Sequence, residues 1–186
     1  YRICLMDLRN GFDIRRHIRT IHDYPKPGIT FRDITTLLAN KHAFRAAVDE
    51  LMWPFLSAGV DYVVGIEARG FILGGAIAHE LGLGFLPIRK KGKLPGKVIG
   101  RDYQLEYGID TIEIHADAIS KGDKILLIDD LIATGGTAEA AIDLIQDSGG
   151  DVVAAAFVVS LPDLGGAQKL IDKNVKVHRL VDYAGD

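Results

Sequence analysis

Between residues 129 and 137 the chain reads DDLIATGGT, and these residue types suit the holding of a phosphate. Ala133, Thr134, Gly135, Gly136 and Thr137 offer successive backbone N–H groups, two hydroxyls and two glycines, with no bulky side chain to keep an anion away. Asp129 and Asp130 stand just ahead of that turn. Paired acids here also fit a metal site of the receiver type, and a TGGT turn also fits a plain tight connection. Their order, with acids, short spacer and small-residue turn in succession, joins the two into one candidate site. It is neither a P-loop, for want of GxxxxGK[ST], nor a dinucleotide fingerprint, for want of GxGxxG leading from a strand into a helix.

Elements must hold these residues in place. Residues 124–128, KILLI, form a short apolar run of the kind buried on both faces of a parallel sheet. The acids then fall at the strand's carboxyl end, the edge at which open α/β sheets bind ligands. Beyond the turn, Ala138, Ala141, Ile142 and Ile145 recur at helical spacing, predicting a helix whose positive dipole end faces the same anion. Gly149-Gly150 ends it.

Strand and helix patterns alternate elsewhere, predicting an α/β fold with a mostly parallel central sheet flanked by helices. Residues 61–66, 71–81 and 84–88 read as strand, helix and strand; 125–128, the helix after Thr137 and 152–159 repeat that unit; helix 166–172 and strand 175–181 follow. About five core strands result. Ahead of them 14–20 and 42–56 read as helical, with Pro54 ending or kinking the second. Asp163-Leu164-Gly165-Gly166 reads as a helix-start turn without a phosphate role, since no strand-end acid pair precedes it.

Composition limits the alternatives. With 186 residues, 48% of them hydrophobic, and no long polar linker, residues 1–186 read as a single domain around one substantial core. A formal net charge of −3 argues against coating nucleic acid, whereas Arg89-Lys90-Lys91 with Lys93 and Lys97 forms a local basic cluster suited to a small polyanion. No apolar stretch approaches the roughly 18 residues of a membrane span, and residues 1–6 are too short for the apolar part of a signal peptide. A cytoplasmic location without membrane attachment is therefore expected, with Met6 as the native start and residues 1–5 an upstream extension. Cys4 is the only cysteine, which leaves no internal disulfide and no cysteine-based metal cluster, and the six histidines show no HExxH spacing.

Between residues 90 and 115 the helical pattern gives way to glycines, a proline and partial β alternation. Such a long connection generally serves a purpose in a compact domain, and it reads as a mobile hairpin lid.

The strand, acid pair, spacer, turn and helix together resemble the phosphoribosyl pyrophosphate signature of type I phosphoribosyltransferases. Four blocks resemble that family's adenine-specific members: Tyr24-Pro25-Lys26-Pro27-Gly28-Ile29-Thr30-Phe31-Arg32-Asp33-Ile34; Glu67-Ala68-Arg69-Gly70-Phe71; Arg89-Lys90-Lys91-Gly92-Lys93-Leu94-Pro95-Gly96 with Leu105-Glu106-Tyr107-Gly108; and residues 129–137. They span most of the chain in the family's order, and FRDI and LEYG are the blocks that favour adenine over other bases.

The resemblance implies a type I phosphoribosyltransferase-like fold with a β-hairpin lid and a small N-terminal hood. It also implies a reaction of purine salvage: adenine attacks C1 of phosphoribosyl pyrophosphate to give AMP and pyrophosphate. Magnesium is expected on the donor, with no direct protein ligands, and a homodimer is the family's common assembly. By the same resemblance, residues 133–137 hold the 5-phosphate, while Asp129 and Asp130 meet the ribose hydroxyls and favour the electron-poor sugar. Arg69 and Lys93 face the leaving pyrophosphate together with Glu67 and Ala68, whose shared peptide is often cis in the family. Thr30, Phe31 and Arg32 line the adenine, with Phe31 near the base. Glu106 approaches its imidazole side to assist proton movement, and Tyr107 helps close the site. Closure would also limit loss of the activated ribose to water. Two other readings stay open: a phosphoribosyltransferase for hypoxanthine, guanine, xanthine or orotate, and a non-catalytic regulator that binds phosphoribosyl pyrophosphate, although the chain has no evident helix-turn-helix module.

Overall fold

The structure, a computed structural model, describes residues 12–104 and 108–184. In chain order it contains β1 (Arg19–Ile21), β2 (Phe31–Asp33), α1 (Thr35–Ala39), α2 (Lys41–Met52), β3 (Tyr62–Ile66), α3 (Arg69–Leu81), β4 (Gly84–Lys90), β5 (Val98–Gln104), β6 (Ile109–His115), β7 (Lys124–Ile132), α4 (Gly136–Asp147), β8 (Asp151–Ser160), α5 (Gly166–Asp172) and β9 (Lys176–Asp182). Seven strands form one sheet in the order β5-β6-β4-β3-β7-β8-β9, while β1 and β2 pair separately. The run β4-β3-β7-β8-β9 is parallel, and β6 and β5 are added antiparallel at one edge.

The apolar runs explain this layering. Ile125, Leu126, Leu127 and Ile128 are all fully buried, as are Ala154 to Val159 on the neighbouring strand. Their side chains alternate between two cores: Leu126 and Ile128 pack with α2 and α3, and Ile125 and Leu127 pack with α4 and α5. A leucine or isoleucine buried this completely contributes about 2 kcal/mol. The periodic face of α4 is buried as its spacing predicts, through Ala138, Ala141, Ile142 and Ile145. In α2, Asn40 caps the first turn by accepting from the N–H groups of His42 and Ala43. Pro54 ends that helix at Met52, and residues Trp53–Phe55 continue as a 3-10 turn. No helix among the described residues is long and apolar enough to cross a membrane.

Two expectations need correction. Residues 14–20 are not one helix: Ile14–His17 is a 3-10 turn, and Arg19–Ile21 is a strand paired antiparallel with Phe31–Asp33. This hairpin with α1 is the hood. Secondly, β7 does not stop before the acids. Its pairing with β3 ends at Ile128, but β8 carries it on through Asp129 to Ile132, so the acids sit where the sheet is paired on one side only. The described part of the 90–115 segment is a hairpin, β5 paired with β6, joined to the sheet's edge. Strand β6 pairs with β4 at Arg89↔Glu113 and Lys90↔Ile112, and Arg101 on β5 reaches α4 at Asp143 and Asp147, 2.9 and 2.6 Å away.

The hood is tied to the far end of the chain. Arg15 Nη2 donates to the carbonyl of Asp182 at 2.7 Å, and the guanidinium carbons of Arg15 and Arg32 lie 4.6 and 4.0 Å from the centre of the Tyr183 ring. Asp33 holds the hood internally. Burial works to raise its carboxyl, but hydrogen bonds from the Thr35 hydroxyl and N–H and from Arg19 outweigh it and bring the group down to about 2. A depressed carboxylate stabilises the fold above its ordinary 3.8 and surrenders that contribution as pH falls towards the folded value. Asp33→Asn is expected to cost about 2 kcal/mol at neutral pH. In urea titrations, the difference between wild type and variant should narrow as pH is lowered from about 5 to about 3. An unchanged difference would mean that Asp33 is not the titrating anchor.

Candidate active site

The turn 133–137, the candidate phosphate cradle, takes its shape from two close backbone approaches. Gly135 adopts φ +80° at the head of α4, and its N–H lies against Gly166 at the head of α5. Gly166 donates its N–H to the carbonyl of Ala133 at 3.0 Å, and a Cβ on Gly166 would fall 2.3 Å from that oxygen and 2.6 Å from the Gly135 nitrogen. Only glycine fits there. The resulting cavity, about 150 Å³, is lined by Asp129, Leu131 and the turn 132–138. Helix α4 begins at Gly136, inside the turn, so its first N–H groups and its dipole belong to the cradle itself.

Asp129 lines this cavity, and Asp130 is its neighbour on β7. Asp130 is buried and accepts from Arg69 Nε, at the first residue of α3. Asp129 Oδ1 accepts the Asp130 N–H at 2.8 Å. Burial, followed by the neighbouring charge of Asp130, pushes the Asp129 carboxyl well above the usual carboxylate range. Arg69 is pulled down by burial, but the charges and hydrogen bonding of Asp130, helped by Asp129 and Asp33, raise it overall and keep it cationic. Close approach of α3 makes this possible: a Cβ on Gly70 would meet the Ile128 carbonyl at 2.8 Å and Asp129 Oδ1 at 3.0 Å.

The Arg69 guanidinium also lies 5.9 Å from the centre of the Phe31 ring, which itself meets Tyr24 edge-on at 5.3 Å. One line of contacts thus runs from the hood through Phe31 and Arg69 to the acids at the sheet's carboxyl edge. Thr30 and Phe31 are half-buried on the hood. The side chain of Arg32 leaves this line: its Nη1 donates to Thr20 Oγ1 at 2.6 Å and its guanidinium covers Tyr183.

On the other side of Arg69, the peptide between Glu67 and Ala68 is cis, as the resemblance implied. The Glu67 carboxylate accepts from Arg89 Nη2 at 3.0 Å, from Arg89 Nε at 3.2 Å and from the Lys90 N–H at 3.2 Å. The hydrogen bond from Arg89 is the main reason its carboxyl is held below the usual range, against the upward push of burial, with the Lys90 N–H and the charges of Arg89 and Lys93 adding to it. Glu67 therefore aims Arg89 and carries no free negative edge toward an anion. Arg89 Nη1 in turn donates to the carbonyl of Lys93 at 3.0 Å, shaping the loop on which the exposed Lys93 stands. Lys93 has no ion-pair partner among the described residues, leaving its ammonium available to a ligand.

The sequence puts Arg89 in a basic cluster and in one of the resembling blocks without a role of its own, and gives Gly166 no part in the site. The run of cations was the available signal for Arg89; for Gly166 only its small size was, because its partner lies 31 residues away in sequence, at Gly135. Glu106 and Tyr107 lie outside the described residues.

Comparisons with known proteins follow this geometry. Residues 34–183 match the model of the phosphoribosyl transferase domain. An adenine phosphoribosyltransferase of Methylobacterium radiotolerans is 58% identical over 180 residues, covering 97% of this chain and 99% of that protein. The crystal structure of adenine phosphoribosyltransferase from Rhodothermus marinus superposes with a TM-score of 0.86 at 50% identity, over 91% of this chain and 96% of that one. The enzyme from Saccharomyces cerevisiae, solved with adenine and an imino-altritol bisphosphate, gives 0.85 at 37% identity, over 90% and 96% of the two chains.

Proposed function

We infer, from the premise that this chain belongs to the phosphoribosyltransferase family and matches its adenine-specific members along nearly its whole length, that it is an adenine phosphoribosyltransferase. It transfers the 5-phosphoribosyl group of phosphoribosyl pyrophosphate to adenine, giving AMP and pyrophosphate, a reaction of purine salvage. The observation that carries the assignment of residues is the line Phe31, Arg69, Asp130, which ends beside the phosphate cradle.

In the reaction, a ring nitrogen of adenine bonds to C1 as the bond from C1 to the pyrophosphate oxygen breaks, and the electron pair departs with pyrophosphate. The cradle, 133–137, anchors the 5-phosphate and so orients C1. Asp129 and Asp130 receive the ribose hydroxyls, and their field favours the cationic sugar. Because Asp130 has Arg69 as a standing partner, arrival of the donor requires Arg69 to share its fork between the acid and a phosphate oxygen. The cis peptide at Glu67-Ala68, with Arg89 and Lys93, supplies donors and positive charge where the leaving group gathers negative charge. Thr30 and Phe31 wall the base; the side chain of Arg32 seats the hood. Glu106 and Tyr107, on the hairpin over residues 90–115, complete the closure and the proton movement at adenine.

Magnesium suits the oxygen-rich cleft. Magnesium would arrive on the donor's own phosphates, with no direct protein ligand. When bound, it neutralises pyrophosphate charge. Residues 1–186 work as one catalytic domain, in the cytoplasm and as a homodimer.

Purified protein given adenine, phosphoribosyl pyrophosphate and magnesium is expected to form AMP, with little transfer to hypoxanthine, guanine, xanthine or orotate in radiolabelled-base competition. Turnover of one of those bases with consistent failure on adenine would overturn the assignment.

A further inference from the structure

One buried tyrosine outside the line of substrate contacts lies between both ends of the site. Tyr103, on β5, is 9% exposed. Its hydroxyl donates to Asp110 Oδ2 on β6 at 3.3 Å, and that carboxylate is paired with Lys90 Nζ on β4 at 3.0 Å. On its other side Tyr103 belongs to the same buried cluster as Ala138 and Ala141 of α4. The backbone confirms the approach, since a Cβ on Gly136 would sit 3.4 Å from the carbonyl oxygen of Gln104, the next residue of β5. Two positions back on the same face of β5, Arg101 fastens the strand to the far end of α4 through Asp143 and Asp147.

These contacts close a ring of elements. One half is the sheet itself, β4 to β3 to β7 and on into α4. The other half runs from the first turn of α4 through Tyr103 and Asp110 to Lys90, beside the Arg89 that Glu67 aims. Without the second half, the distance between cradle and basic cluster would depend on the first half alone, in which β4 pairs with β3 as far as Ile88 and β3 with β7 as far as Ile128.

We propose that Tyr103 is a positioning residue that fixes the span between the 5-phosphate cradle and the Arg89–Lys93 cluster, and so favours a ligand phosphorylated at both ends. The inference rests on the functional reading above. Lys90 spends its charge on Asp110 rather than on ligand, and the Tyr103 hydroxyl sets the register of β5 against α4. A ligand that touches both ends gains from their fixed separation, because its second contact is made intramolecularly. A ligand that touches one end gains nothing from it.

The test is calorimetric and omits adenine. Tyr103→Phe and Asp110→Asn keep the shape of each side chain and remove the hydroxyl or the charge. Each is expected to weaken phosphoribosyl pyrophosphate about tenfold while leaving ribose 5-phosphate and pyrophosphate within about twofold of wild type. The double variant should be no weaker than either single one, as expected of groups acting through one chain. Failure of the wild type to bind phosphoribosyl pyrophosphate would sink the functional reading itself. A wild type that binds, with both variants unchanged or weakened alike for all three ligands, would overturn the positioning role alone.

Discussion

Asp130→Asn is expected to lower kcat for AMP formation about a hundredfold, the loss of nearly 3 kcal/mol of transition-state stabilisation. The carboxylate is buried and held by Arg69, whose side chain is 41% exposed. Asparagine preserves the shape but removes the charge that favours an electron-poor C1, and it leaves Arg69 with water rather than with a buried void. The cost in stability should therefore stay within about 1 kcal/mol. A second sign is worked out from Asp129. Burial raises its carboxyl first, and the charge of Asp130 adds to that rise. Removing the like charge leaves only the burial, so Asp129 should ionise at lower pH in the variant, and any acidic limb of the pH–kcat profile due to it should move down. Steady-state rates across pH, with a thermal melt to verify folding, check both. Wild-type turnover by a folded Asp130→Asn protein would remove the acid pair from the chemistry.

Gly166→Ala should act on the donor and leave the base alone. Its methyl would meet the Ala133 carbonyl oxygen, the Gly135 nitrogen and the Thr134 carbonyl carbon, all backbone, at 2.3, 2.6 and 2.8 Å. No rotamer relieves a Cβ, so either α5 retreats or the turn opens, at about 3 kcal/mol. The KM for phosphoribosyl pyrophosphate should rise more than about tenfold, with that for adenine little changed, because the hood and Phe31 are on other elements. Gly75→Ala is the control: it is helical, nothing lies within 4 Å of its added carbon, and alanine is the better helix former. An unaltered donor KM in a folded Gly166→Ala protein would mean that the turn is not the seat of the 5-phosphate.

How far the sequence foretells such a site depends on how far apart the cooperating residues lie. The turn, the acids and α4 are contiguous, and the apolar spacing from Ala138 to Ile145 marks the buried face that the structure shows. Parallel strands were legible because burial on both faces leaves unbroken apolar runs such as 125–128. Strands of three residues, β1 and β2, are too short to show alternation, so the hood's pairing stayed hidden and residues 14–20 looked helical. The extent of β7 was hidden for another reason: whether a strand continues past Ile128 depends on which neighbour keeps pairing, and β8 does while β3 does not. Side-chain commitments are less visible still. A local motif groups Arg32 with Phe31, yet Arg32 turns to Tyr183, more than a hundred residues later in the chain.

That last contact bears on the order in which the protein becomes competent during synthesis. The hood forms early, but the groups that seat it, the Asp182 carbonyl and the Tyr183 ring, come from the far end of the chain, the former 167 residues after Arg15. A growing chain can complete β3, β4 and β7 while the hood still lacks its contacts with Asp182 and Tyr183. The hood is thus latched only when β9 and Tyr183 have been added at the sheet's edge.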